Sequence, residues 1–493
     1  MSGWLRRRPL VVALAAQAVV YGWRIDLLSP WFDEASTLLI MRGRLAAAIQ
    51  TAVSGLHPPL YFLLLYAWQR LPLGLTWTVQ ARLLSVLFGL AATWAADRFW
   101  ARRLAASGRI WFLCLWVASP CLLLYSRMAR SYSLQLLLAT LAAGWIAEYA
   151  AAPRPSGFWR MSAALAALLY VHYVPGLAML AAANLVLARE RRWRDALAAD
   201  GVVMLAMAPW LPRLVWSFEV WRVHTPAYAL SGSQAAEIVV KLAYWAMSFT
   251  IGESLPDALL VVGAALALAW PLLFWVAAGK HRDVLWILLP AAAIGFIGVM
   301  RWVSYPFIPA RLLFTLPLAL GLVVAGARGR VGRISLAGLL AISLCGVWCY
   351  FHQIGFRNKQ YPLPLQEIAG EIRAHSTPAD SAILVDSANS DPLGLMYALG
   401  PERPVLETGD AAAPRAVAAL AADPRIRTVW FLRNTHDVSP AGLNARLAQQ
   451  LGAAMRATVH AYEPYTPLES RLLRLLGMPN PPACFTELWE FQR

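Results

Sequence analysis

The sequence predicts a polytopic α-helical membrane protein of about 11 transmembrane helices, followed by a smaller α/β domain on the outer face of the membrane. Three observations lead there. Of the 493 residues 59% are hydrophobic and only 14% are charged, against roughly 25% charged in a soluble chain, so most of the surface has to face lipid. The apolar residues fall into runs of spanning length separated by short arginine-bearing loops. Near residue 352 this pattern stops and the charge balance changes with it. The first 351 residues hold 30 basic and 13 acidic side chains, and the remainder 13 and 14. The net charge of +16 therefore belongs to the membrane part and argues against a nucleic-acid partner. Cys114, Cys121, Cys345, Cys349 and Cys484 show neither metal-ligand spacing nor a disulfide framework.

Arg6, Arg7 and Arg8 precede an apolar run that continues nearly to Leu28, which predicts an uncleaved signal-anchor as the first span. Ten further runs lie near 83–100, 110–125, 132–150, 161–172, 175–188, 197–215, 257–278, 284–300, 312–327 and 334–351. The apolar segment 58–68 is too short to cross and reads as interfacial or re-entrant. Leaving it out of the count places the clusters around Arg102, Arg154, Arg191, Lys280 and Arg330 in the cytoplasm, as the positive-inside rule asks. The N-terminus is then inside and the C-terminus outside. In the tail, strand-like runs at 382–385, 427–432 and 488–491 alternate with helical patterns at 365–374 and 443–451, which predicts an α/β layer. The expected division is a membrane domain, 1–351, with a long first outer loop over about 29–81, and an outer domain, 352–493.

With this topology the polar residues collect at helix ends on the outer side. The first loop carries Asp33 and Glu34, then His57-Pro58-Pro59-Leu60-Tyr61; the second turn runs from Tyr125 through Arg127 and Arg130 to Tyr132. His172 and Tyr173 follow, then Arg222 and His224 with Arg213 and Glu219, then Tyr305 and Arg311 with Arg301. Taken singly, most have bland explanations: an acidic pair is usually a solvated loop, an arginine a headgroup anchor, a histidine a helix cap or a satisfied core residue. Together they suit glycosyl transfer at a membrane surface. A carboxylate can take the proton of an attacking hydroxyl, and arginines can hold a phosphate leaving group.

Several segments in this order resemble a known pattern. They are Trp31-Phe32-Asp33-Glu34-Ala35-Ser36, His57-Pro58-Pro59-Leu60-Tyr61, Arg82-Leu83-Leu84-Ser85-Val86 with Gly89, and Ser119-Pro120 leading to Tyr125-Ser126-Arg127-Met128-Ala129-Arg130-Ser131-Tyr132. Val171-His172-Tyr173, Pro209-Trp210-Leu211-Pro212 and Pro309-Ala310-Arg311-Leu312-Leu313 continue it, covering about residues 9–330. The chain resembles the bacterial protein O-mannosyltransferase and aminoarabinose transferase superfamily of GT-C fold, especially the lipopolysaccharide-core galacturonosyltransferase branch. The resemblance implies inverting transfer from a polyprenyl-phosphate sugar, with Asp33 as general base and Glu34 binding or orienting the acceptor. It puts His57, Arg127, Arg130 and Arg311 at the donor phosphate. Tyr61, Tyr132, His172, Tyr173, Arg222, His224 and Tyr305 are then substrate-pocket candidates. His57 stands where relatives carry lysine or histidine, Leu312 replaces a tyrosine, and Ser131-Tyr132 stand where some relatives have an acidic residue. The last departure leaves the sugar and any metal dependence open.

The expected partners are a polyprenyl-phosphate sugar, a glycan, lipid or protein acceptor and the bilayer of a bacterial inner membrane, with the active site and C-terminal domain periplasmic. No nucleotide-binding signature is present, and a water-rich magnesium or manganese site would leave little trace, so a divalent metal stays open. Sugar, acceptor and oligomeric state are not written in the sequence. Two competing functions are a flippase or transporter of a lipid-linked sugar and a tethered outer binding domain. A transporter calls for ionisable groups at mid-membrane and repeated halves, whereas the clearest charges here lie at helix ends. Eleven spans are excessive for a tether.

Overall fold

The computed structural model describes residues 8–54, 57–224, 234–302, 308–386, 392–408, 413–435, 442–475 and 480–493. The chain forms two compact units. One comprises Met1–Ile25 and Ile40–Gly355; the other comprises Asp26–Leu39 and Phe356–Arg493. The expected boundary near 351 lies close to the second junction, but residues 26–39 of the first loop cluster with the tail.

The first unit is helical. Among the described residues seven helices are long and apolar enough to cross a membrane: Trp77–Arg103, Tyr132–Ala151, Trp193–Trp216, Asp257–Ala278, Arg282–Met300, Pro309–Gly326 and Gly329–Phe351. The helices Ala106–Val117 and Pro120–Ser126, bent by 51° at their junction, make an eighth when taken as one span. The break follows from the sequence: Ser119 caps the second piece by accepting a hydrogen bond from Leu122 N (3.3 Å), and Pro120 occupies its first turn. The remaining three expected runs form shorter helices, Pro9–Gly22, Pro155–Leu169 and Tyr173–Arg189, of 14, 15 and 17 residues. Segment 58–68 contains a helix of only nine residues, Leu60–Trp68. In this unit the sequence reading passed over the helices Leu45–Ser54 and Gln234–Thr250, and the apolar pattern of the second is interrupted by Glu237 and Lys241.

Helices in lipid gain little from hydrophobic exclusion, so small residues that allow close approach set their packing. At Gly326 a Cβ would lie 1.8 Å from the carbonyl oxygen of Leu273, which brings the Leu316–Gly326 and Ala269–Ala278 helices into backbone contact. Gly326→Ala must push these helices apart. It is expected to destabilise the unit by about 1–3 kcal/mol, read as a lower melting temperature in detergent. Arg102 and Arg109 share a buried structural partner. The fully buried carboxylate of Asp97 accepts from Arg109 Nε at 2.7 Å and Nη2 at 2.9 Å, and from Arg102 Nε at 2.9 Å.

The second unit is a three-layer α/β domain. Its strands are β1 (Ser381–Val385), β2 (Val405–Glu407), β3 (Thr428–Asn434), β4 (Arg456–Pro464) and β5 (Cys484–Gln492), in the order β2-β1-β3-β5-β4. β1 runs parallel to β2 and β3, while β5 runs antiparallel to β3 and β4. The alternation of side chains sends Ile383, Val385, Trp430 and Leu432 to one face, against Ile368 and Ile372 of the Leu365–His375 helix. Leu384, Val429 and Phe431 go to the other, against Val417, Leu447 and Leu451. The first-loop segment is built into this unit: Trp31 meets Tyr361 edge-on at 5.2 Å, and Ser29 Oγ accepts from Gln366 N at 3.3 Å.

Candidate functional site

In the first unit, four of the expected residues come together from four separate elements. His57 lies between the helices Leu45–Ser54 and Leu60–Trp68, Arg130 in the turn after Pro120–Ser126, His172 at the start of Tyr173–Arg189, and Arg311 in the tight turn Pro309–Thr315. Hydrogen bonds tie the segments that carry them in pairs. Leu60 N donates to Tyr170 O at 2.9 Å, joining the His-Pro-Pro segment to the turn that presents His172. Gln135 Nε2 donates to Ala310 O at 3.4 Å and Arg311 O at 3.2 Å, so the Tyr132–Ala151 helix holds the turn that carries Arg311. Arg130 is 8% exposed, and both imidazoles are partly buried.

The guanidinium groups of Arg130 and Arg311 act on both histidines. Burial first, and then these two positive charges, push the pKa of His57 down to about 3. His172 is pushed to about 3 by burial, Arg311, His57 and Arg130. Both rings are therefore neutral at pH 7, and the positive charge of the cluster resides on the arginines. Arg311 Nη1 is buried with no hydrogen-bond partner among the described residues. A buried cationic donor in that state favours an oxyanion.

A stability consequence follows. The unfolded chain protonates these histidines near the ordinary value of 6.5, the folded chain near 3, so below 6.5 the unfolded state binds more protons. Stability falls as pH drops across that window. The melting temperature of the wild-type chain should fall more steeply between those pH values than that of the double variant His57→Gln with His172→Gln.

The other candidates have contacts of their own. Arg127 is 2% exposed; its Nη2 donates to Trp23 O at 2.9 Å and to Arg24 O, and its guanidinium lies 5.1 Å from the ring centroids of both Tyr350 and Phe351. Its bonds join the end of the first helix to the second turn. Tyr61 is buried with its ring edge-on to Phe62 at 5.8 Å, and Tyr132 is buried with its ring edge-on to Tyr125 at 5.6 Å. Tyr173 OH accepts from Trp210 Nε1 at 2.9 Å. The side chains of Arg222 and His224 lie outside the described part, as does Tyr305 altogether.

Asp33 and Glu34 belong to the second unit, in the first turn of the helix Phe32–Arg42. The helix dipole favours anionic side chains there. Thr37 Oγ1 donates to Asp33 O at 2.9 Å and closes the first turn. Glu34 is 1% exposed, whereas Asp33 is partly exposed. Adjacent in sequence, the two carboxylates thus have different access to a substrate.

Sequence reasoning missed Glu253. It is 2% exposed and accepts from Tyr125 OH at 2.5 Å and Ser248 Oγ at 2.8 Å on Oε1, and from Tyr244 OH on Oε2. Burial pushes its pKa up, and the three hydroxyl donors oppose that shift. Gly252, at φ +82°, sets the turn; a Cβ there would lie 2.5 Å from Pro120 Cβ. The available signal was a Gly-Glu-Ser tripeptide between two apolar stretches. Among the described residues no group of three or more His, Cys, Asp or Glu side chains is arranged to hold a metal ion. In the histidine pair's own neighbourhood two guanidinium charges oppose a cation.

Comparison with solved structures decides the fold. ArnT from Cupriavidus metallidurans in the apo state superposes with a TM-score of 0.57 at 16% identity, covering 92% of this chain and 95% of that one. The same enzyme bound to undecaprenyl phosphate gives 0.55 at 14% identity, covering 99% of this chain and 98% of that chain. The chain has the GT-C fold. The GT-C likeness spans both compact units, so the C-terminal sheet domain has its counterpart in the solved protein. No family model matches the sequence. No curated protein matches it either.

Proposed function

We propose that the chain is a multi-pass inner-membrane glycosyltransferase that moves a sugar from a polyprenyl-phosphate donor to an acceptor hydroxyl on the periplasmic face, inverting the anomeric centre. The observation that carries this is the convergence of Arg130, Arg311, His57 and His172, with a buried guanidinium nitrogen of Arg311 that has no hydrogen-bond partner among the described residues. Such a site suits a phosphate head group. The solved GT-C relative bound to undecaprenyl phosphate supports a polyprenyl phosphate as its source.

In this reading the acceptor oxygen attacks the anomeric carbon opposite the phosphate, and the carbon–oxygen bond to phosphate breaks with its electron pair going to the phosphate oxygen. Asp33 receives the acceptor proton, and Glu34 orients the acceptor. Arg130 and Arg311 stabilise the charge that grows on the leaving phosphate, with His57 beside them. Arg127 supports the turn that delivers Arg130. Envelope glycolipid, polysaccharide and protein remain the acceptor classes. The placing among lipopolysaccharide-core galacturonosyltransferases rests on motif order alone.

The experiment is mass spectrometry of envelope glycans with and without the protein, joined to transfer by the purified chain from a polyprenyl-phosphate sugar. A glycan lacking one sugar in its absence identifies sugar and acceptor together. An unchanged glycan profile with no hydrolysis or transfer of the lipid-linked sugar would overturn the reading.

A further inference from the structure

We propose that a cleft at the arginine-rich end of the spans seats the head group of an anionic phospholipid. The cleft has a volume of about 340 Å³, and Tyr149, Arg154, Phe158, Trp159 and Asp195 line it. Tyr149 lies in the last turn of Tyr132–Ala151 and Asp195 in the first turn of Trp193–Trp216, two helices long enough to cross a membrane. The cleft is therefore at the level where their apolar lengths end. It adjoins the start of the Pro155–Leu169 helix, whereas His172 follows the other end of that helix, so the cleft is not part of the site described above.

Its walls combine aromatic rings with an arginine of restricted backbone. Phe158 meets Tyr149 at 6.0 Å and Trp159 at 5.4 Å, both edge-on, and Trp159 is 59% exposed. An exposed tryptophan near the end of an apolar helix suits the boundary of lipid and water. Arg154 stands between Pro153 and Pro155, and the second proline holds it extended, at φ −142° and ψ 145°. One carboxylate lines the cleft, and its charge is already engaged: Asp195 accepts from Tyr149 OH and from Arg192 Nη1, each at 3.0 Å. The acidic neighbours Glu148 and Glu190 pair with Arg98 and Arg189. Arg154, Arg160, Arg191 and Arg194, from the same stretches of chain, have no carboxylate partner among the described residues. The surplus is positive, so the complementary head group is anionic, with its phosphate at Arg154 and its glycerol against the rings of Phe158 and Trp159.

The test is native mass spectrometry of the full chain in detergent, titrated with dioleoyl phosphatidylglycerol and with dioleoyl phosphatidylethanolamine. Phosphatidylglycerol should be retained more tightly, and Arg154→Gln should weaken its binding about fivefold, the effect of one arginine at a membrane surface. Trp159→Ala should weaken it as well. Arg154 and Trp159 are both exposed, so neither change opens the packed interior, and an unaltered melting temperature checks this. Arg330→Gln, at an exposed arginine that starts the Gly329–Phe351 helix and does not line the cleft, should leave retention unchanged. Equal retention of the two lipids overturns the choice of an anionic head group. An Arg154→Gln variant that binds like wild type, or equal weakening by Arg330→Gln, overturns the cleft itself, because binding then follows the charge of the whole face. Displacement of the bound lipid by glycerol phosphate would make the occupant a soluble anion and overturn its membrane source.

Discussion

Asp33→Asn is expected to reduce sugar transfer by about 10²–10⁴-fold while leaving donor binding nearly unchanged, which is the usual contribution of a positioned general base. Asparagine keeps the shape of the side chain but cannot accept the acceptor's proton. The structural cost of the change is small by comparison. Asp33 lies in the first turn of Phe32–Arg42, where loss of a negative charge costs about 0.3–1 kcal/mol through the helix dipole. The hydrogen bond from Thr37 Oγ1 goes to the backbone carbonyl of Asp33 and does not depend on the side chain. A loss of turnover with the melting temperature and donor affinity preserved therefore reports chemistry. Undiminished turnover refutes Asp33 as the base. The neighbouring Glu34 is a poorer probe, because at 1% exposure its replacement disturbs packing as well as any contact with the acceptor.

Membrane helices announce themselves because one physical requirement, burial of a continuous apolar face in lipid, acts along the local sequence. The runs 83–100, 132–150 and 334–351, which fall inside the helices Trp77–Arg103, Tyr132–Ala151 and Gly329–Phe351, needed no tertiary information. Gln234–Thr250 did need it, since Glu237 and Lys241 break its apolar pattern. In the tail, β1, β3 and β5 could be read because their side chains are buried in the sheet, whereas β4 is largely exposed at an edge and leaves a weak pattern. Long-range association is harder. Nothing local to Trp31 indicates that its ring will meet Tyr361, or that the segment bearing Asp33 joins the unit formed by the tail. The same limit applies to Glu253, whose three hydroxyl donors come from two helices, and to Arg127, whose carbonyl partners lie about a hundred positions earlier in the chain.

Arg311→Gln is expected to lower kcat/KM for the lipid-linked donor by about 10²–10³-fold, the scale on which one preorganised donor to a developing anion contributes. The loss should divide between the two constants. The donor phosphate diester carries one negative charge and the leaving phosphate approaches two, so the guanidinium contributes more in the transition state than in the bound donor. KM rises and kcat falls as well. Arg311→Lys should recover part of the activity, because it restores charge without the planar fork that engages two phosphate oxygens. Arg127→Gln provides the contrast. Its guanidinium is committed to the Trp23 and Arg24 carbonyls and flanked by Tyr350 and Phe351, so its loss should appear first as a lower melting temperature. Sequence alone treated these two arginines alike. The structure separates them by their surroundings: Arg127 Nη2 donates to the Trp23 and Arg24 carbonyls, whereas Gln135 holds the backbone of Arg311. Measuring both variants for donor KM and thermal stability tests that division, and equal donor affinity in wild type and Arg311→Gln would move the phosphate site away from this cluster.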